Sequence, residues 1–90
     1  MSAFEVLFTP EATERLRRIA GYDPKSARVV FEHMKKLPET YRGDPFLSGR
    51  RFEGLRRNRV GKYRAIYRVL EDDRQIHVLT VDLRKSVYES

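Results

Sequence analysis

Residues 59–70, "RVGKYRAIYRVL", constrain the fold more than any other part of this chain. A Val–Gly pair interrupts two runs of β-forming residues, and beyond it the side chains alternate. Tyr63, Ala65, Tyr67 and Val69 fall on one side, and Lys62, Arg64, Ile66 and Arg68 on the other. This is the pattern of a hairpin turning near Val60–Gly61. One of its faces needs an apolar cover, and the other is lined with cations.

The flanking segments supply the cover. "AFEVLFT" at the start places Phe4, Val6 and Phe8 on one face of a strand. In "TPEATERLRRIAG", Thr9 can cap a helix, Pro10 suits its first turn and Gly21 can end it. Ala12, Leu16, Ile19 and Ala20 form its apolar stripe. A second helix is expected from Asp23, with Pro24 following the cap and Pro38 marking the end. Its stripe is Ala27, Val30, Phe31, Met34 and Leu37. Residues 38–54 read as an irregular connector that tucks Phe46, Leu47 and Phe52 inward. Residues 71–75 make a polar turn, and "IHVLTVDL" is apolar on both faces, as a central strand is. The predicted order is β-α-α-β-β-β. This is an α+β fold, an antiparallel-rich four-stranded sheet with an N-terminal helical hairpin on one face. The 90 residues are expected to form one domain, residues 1–90.

Charge is unevenly spread. Residues 1–49 hold eight Lys/Arg and seven Asp/Glu, whereas residues 50–90 hold eleven and six. Nine of those eleven are arginines, whose planar forks suit phosphate or carboxylate better than solvation alone. A basic half of this kind points to nucleic acid or an acidic protein partner. There is no cysteine, and His33 and His77 stand apart without carboxylates at ligand spacing, so no metal site is expected. No apolar run is long enough to span a membrane, and the start lacks a signal-peptide pattern, so the expected compartment is the cytoplasm.

The segments "RVGKYRAIY" (residues 59–67) and "RKSVY" (residues 84–88), together with "RFEGL" (residues 51–55), resemble the RelE/ParE superfamily of bacterial and archaeal toxins. The likeness covers nearly the whole chain. It implies a toxin of a type II toxin–antitoxin pair. RelE-like members cut mRNA in the ribosomal A site without a metal or small-molecule cofactor, whereas ParE-like members keep the fold and poison DNA gyrase. The expected partners are therefore a cognate antitoxin with an acidic or amphipathic segment, the ribosome and mRNA.

Metal-free RNA cleavage uses the 2′-hydroxyl as nucleophile. It requires proton removal, stabilisation of the phosphorane and protonation of the leaving 5′ oxygen. By the resemblance, the catalytic set is Arg64, Arg84 and Tyr88. Arg64 and Arg84 would hold the phosphate oxygens. Arg84 would also serve as general acid, a demanding role for a group with a pKa above ~12. Tyr88 would be the base, its reference pKa of ~10 lowered by surrounding cations. Arg57, Arg59, Lys62 and Lys85 would bind RNA phosphates. Other readings stand beside these. Arg64 also suits an ion pair with Glu71 or Asp82, and Arg68 suits plain solvation. The alternative function is a ParE-like gyrase inhibitor or a non-catalytic toxin-fold protein. A general RNA-binding module would be expected to show exposed stacking aromatics, which the pattern does not offer.

Overall fold

Thr9 organises the start of the structure, a computed structural model that describes residues 4–83. β1 (Glu5–Phe8) runs straight into α1 (Pro10–Tyr22). At the junction the Thr9 hydroxyl accepts from the Ala12 N–H at 3.1 Å, capping the helix, and donates to the Leu79 carbonyl at 2.7 Å. Asp23 then closes one helix and opens the next. Its N–H bonds the Ile19 carbonyl, and its carboxylate accepts from Ser26 N–H at the head of α2 (Pro24–Lys35). Gly21 therefore does not end α1. The shared cap at Asp23 sets the break instead. Nor does Pro38 end α2. It sits in the first turn of a short α3 (Leu37–Thr40), where a missing N–H costs nothing.

Three strands complete the chain: β2 (Leu55–Val60), β3 (Tyr63–Leu70) and β4 (Gln75–Leu83). The sheet order is β1-β4-β3-β2, with β1 parallel to β4 and the other pairs antiparallel. β4 is thus interior to the sheet, as its doubly apolar sequence requires. Gly61 turns the β2–β3 hairpin with a φ of 60°, the left-handed value that a primed two-residue turn needs at its first position. A register shift between β3 and β4 pairs Ile66 with Thr80 but Tyr67 with Val78. Leu79 is the extra residue, so Val78 and Val81 can both face the core. Its carbonyl is the one that Thr9 satisfies.

The core lies between the helices and one face of the sheet. Ala12, Ile19, Ala27, Val30, Met34, Leu37 and Tyr41 pack there on Tyr63, Ala65, Tyr67, Ile76, Val78 and Val81. Two aromatics expected inside are not. Phe31 is 41% exposed and Phe46 is 57% exposed. Ala20 of the expected α1 stripe is also exposed. The connector runs along the outer edge of β2, where the Leu47 N–H bonds the Leu55 carbonyl and the Arg57 N–H bonds the Pro45 carbonyl. Among the described residues, no helix is long and apolar enough to cross a membrane.

Candidate nucleic-acid interface

Residues paired across a β-ladder project from the same face. In the β2–β3 register, Leu55 pairs with Arg68, Arg57 with Ile66 and Arg59 with Arg64. Arg57, Arg59, Arg64 and Arg68 therefore share the face turned away from the helices. The intervening residues Arg56, Asn58 and Val60 pair with Tyr67, Ala65 and Tyr63 on the helix side. Period-two alternation continued across a two-residue turn is what gathers the four arginines.

The face is not uniformly open. Arg59 and Arg68 are exposed and Arg57 is half-buried. Arg64 is only 2% exposed, and Ile66 and Thr80 on the same face are buried, as is Leu55 opposite Arg68. The cation-lined face expected from the alternation is thus closed at its centre. Neither ion pair considered for Arg64 matches its neighbours' partners. Asp82 lies in register with it, but the Asp82 carboxylate is held by Arg15 of α1, and Glu71 accepts from the Tyr41 hydroxyl at 2.7 Å. Lys62, expected among the phosphate contacts, turns the other way. Its ammonium stands 4.0 Å from an Asp23 carboxylate oxygen and 5.7 Å from the Tyr63 ring centre, on the helix side. Arg84, Lys85 and Tyr88 lie outside the described residues.

Behind the arginines, Asp44 fixes β2. Its carboxylate accepts from Asn58 Nδ2 at 3.0 and 3.2 Å and from the Tyr67 hydroxyl at 2.6 Å. Its backbone carbonyl accepts from Arg56 at 2.7 Å. Burial and then this carboxylate bond push the Tyr67 phenol well above its ordinary range, so it remains a donor. Tyr63, buried and next to Tyr22 and Asp23, is pushed up to about 12. Hydrogen bonding from Ser26 holds Asp23 below the usual carboxylate range. Partial burial opposes this, while Lys62 and the Tyr63 hydroxyl add to it. His77 and Asp82 share the arginine face, in register with Arg68 and Arg64, but the Asp82 carboxylate is held by Arg15, and the chemistry of the face is dominated by its fixed positive charge. It suits holding a phosphate chain and stabilising charge that develops on one.

Sequence reasoning passed over Asp44 and the Arg56 stack, and it placed Arg68 on the cationic side but gave it no more than solvation. Arg56 lies 3.9 Å from the Phe46 ring centre and 5.5 Å from that of Tyr41. Only Arg68 had a local signal, its place in the alternation.

The fold and the arginine-lined sheet are those of a toxin of a type II toxin–antitoxin system. The profile of the ParE toxin of type II toxin–antitoxin systems, parDE, matches residues 6–88, and the chain belongs to that family. Its fold is shared with RelE, YoeB and ParE proteins, within the RelE/ParE superfamily. Among similar structures is the toxin–antitoxin complex RelBE2 of Mycobacterium tuberculosis. That chain is 26% identical, with a TM-score of 0.77 over 90% of this chain and 98% of that one. The archaeal RelE–RelB complex of Pyrococcus horikoshii is 23% identical, with a TM-score of 0.71 over 97% and 100%. A chromosomal ParDE system of Pseudomonas aeruginosa is 18% identical, with a TM-score of 0.70 over 92% and 98%. No curated protein sequence matches this chain.

Proposed function

We propose that this toxin is a ribosome-dependent endoribonuclease that cuts mRNA in the A site. The observation that supports it is the gathering of Arg57, Arg59, Arg64 and Arg68 on one sheet face. Forked cations in a row fit a phosphate backbone. In this reading Arg57, Arg59 and Arg68 grip the RNA, and Arg64, on the same face, stabilises the charge that develops on the scissile phosphate. The 2′-oxygen attacks the adjacent phosphorus and yields its proton to Tyr88. The bond to the 5′ oxygen breaks, and that oxygen takes a proton from Arg84, leaving a 2′,3′-cyclic phosphate. Lys85 adds to the phosphate grip. Toeprinting of mRNA on programmed ribosomes tests this: a cut in the A-site codon is expected, abolished by Arg84→Ala and by Tyr88→Phe. Intact mRNA with translation still running would refute it.

A second reading is favoured by the family profile itself, which is that of ParE. In it the same scaffold inhibits DNA gyrase and needs no tyrosine at position 88. Trapped DNA breaks in arrested cells, or toxicity that survives truncation after Arg84, would establish that reading over the first.

Either way a cognate antitoxin completes the pair. Its seat is the apolar groove of about 480 Å³ on the helical hairpin, lined by Phe8, Leu16, Ala20 and Phe31 and flanked by Arg17 and Arg28. Apolar floor and cationic rim fit an acidic amphipathic segment. Phe31→Glu should leave toxicity intact and prevent its neutralisation by the co-expressed antitoxin.

A further inference from the structure

Phe46 was expected to turn inward and instead projects beside a cleft of about 480 Å³ at the end of the sheet. Tyr41 and Arg56 line the same cleft, as do Glu71, Asp72 and Asp73 of the β3–β4 turn. We infer that this cleft is a guanine-binding subsite for single-stranded RNA, an inference that rests on the RNA reading above.

The argument begins with rigidity. The Arg56 guanidinium lies 3.9 Å from the Phe46 ring centre and donates to the carbonyls of Tyr41 at 3.2 Å and Asp44 at 2.7 Å. The backbone on either side of Phe46 is pinned to β2 through Pro45 and Leu47. The guanidinium lies over the Phe46 ring and braces it, so the ring, 57% exposed, is a fixed flat surface, and such surfaces stack nucleobases with little ordering cost.

The charges around the plate select the ligand. A second cation would meet Arg56 already seated over Phe46. A phosphate would meet the carboxylates of Asp72 and Asp73. What remains is a neutral planar ring with hydrogen-bond donors on its edge. Guanine presents N1–H and N2–H together, the pair that one carboxylate accepts with both oxygens. Adenine offers an acceptor where guanine has N1–H. Glu71 is engaged by the Tyr41 hydroxyl, whereas Asp72 and Asp73 have no side-chain partner among the described residues. The cleft adjoins the arginine face around the edge of β2. Positions 56 and 59 are roughly 10 Å apart at about 3.3 Å per residue.

The test is amide-resolved NMR titration of the full chain with GMP, IMP and AMP, and with N-acetylarginine amide as a cationic probe. GMP should shift the amides of Phe46, Arg56, Asp72 and Asp73. AMP should bind there about tenfold more weakly, the loss expected when a charged acceptor goes unmatched. IMP, lacking the exocyclic amine, should fall between them. Phe46→Ala should abolish binding at these positions. The double variant D72N/D73N, altered only in an exposed turn, should keep the thermal midpoint and lose the preference for GMP over AMP. Equal binding of GMP and AMP, no shift at these amides, or preferential binding of the arginine amide would overturn the inference. A GMP preference with no mRNA cut on ribosomes would overturn the nuclease reading and leave the subsite standing.

Discussion

Arg59 and Arg64 stand directly opposite each other on β2 and β3. Like charges paired across a ladder oppose folding, so this placement serves something other than stability. Replacing Arg59 should therefore act in opposite directions on fold and function. Arg59→Ala is expected to stabilise the chain by about 0.2–1 kcal/mol, read as a raised unfolding midpoint. The same variant should weaken RNA binding and lower the log–log salt slope by about 0.7, the share of one phosphate contact on a single strand. Salt-dependent fluorescence anisotropy with a labelled RNA measures the second effect.

Asp44 joins the connector to two strands through Asn58 and Tyr67. Asp44→Ala leaves the enclosed Tyr67 hydroxyl without its acceptor and should cost about 2–4 kcal/mol. Asp44→Asn, which keeps an acceptor oxygen, should cost less. Tyr67→Phe, which removes donor and demand together, should cost about 1–2 kcal/mol. Urea denaturation at neutral pH ranks the three.

Tyr63 titrates near 12 instead of near 10.0, first because it is buried and then through Tyr22 and Asp23. The folded chain therefore holds this proton more tightly than the unfolded chain does. Its contribution to stability is complete below pH 10 and is lost as pH rises from 10 toward 12. Denaturation midpoints should fall across that window, and Tyr63→Phe should flatten the fall. Absorbance titration of the folded protein should show Tyr63 and Tyr67 silent where an ordinary phenol ionises.

Thr9 caps α1 and supplies the donor for the bulged Leu79 carbonyl. Thr9→Val keeps the shape and removes both bonds. A cost of about 1–3 kcal/mol is expected, with Thr9→Ser recovering most of it.

The sheet and its arginine face were legible because alternation is a local signal. Residues 57, 59, 64 and 68 declare their common side from spacing alone. Lys62 did not, since it sits in the turn, where a period of two has no meaning. The helix ends were misread at Gly21 and Pro38, because the Asp23 cap and the short α3 outweighed the usual punctuation. Phe31 matches the apolar stripe yet lies outside, since a stripe wider than the available core leaves a remainder on the surface, and Phe46 lies outside because the connector is pinned to the edge of β2 through Pro45 and Leu47. Asp44 was invisible, as its partners lie 14 and 23 residues away. Arg64 was correctly placed on its face, but its enclosure depends on tertiary packing that alternation does not encode.

The connector lying against β2 has a consequence for a protein that must be kept in reserve. A bare outer strand is a template on which another copy can add its own strand and continue indefinitely. Here the Leu55 carbonyl and the Arg57 amide are already taken by the chain itself, and the next exposed position, Arg59, carries a charge that repels its own kind. The β2 border of the sheet is thereby closed to self-propagating growth.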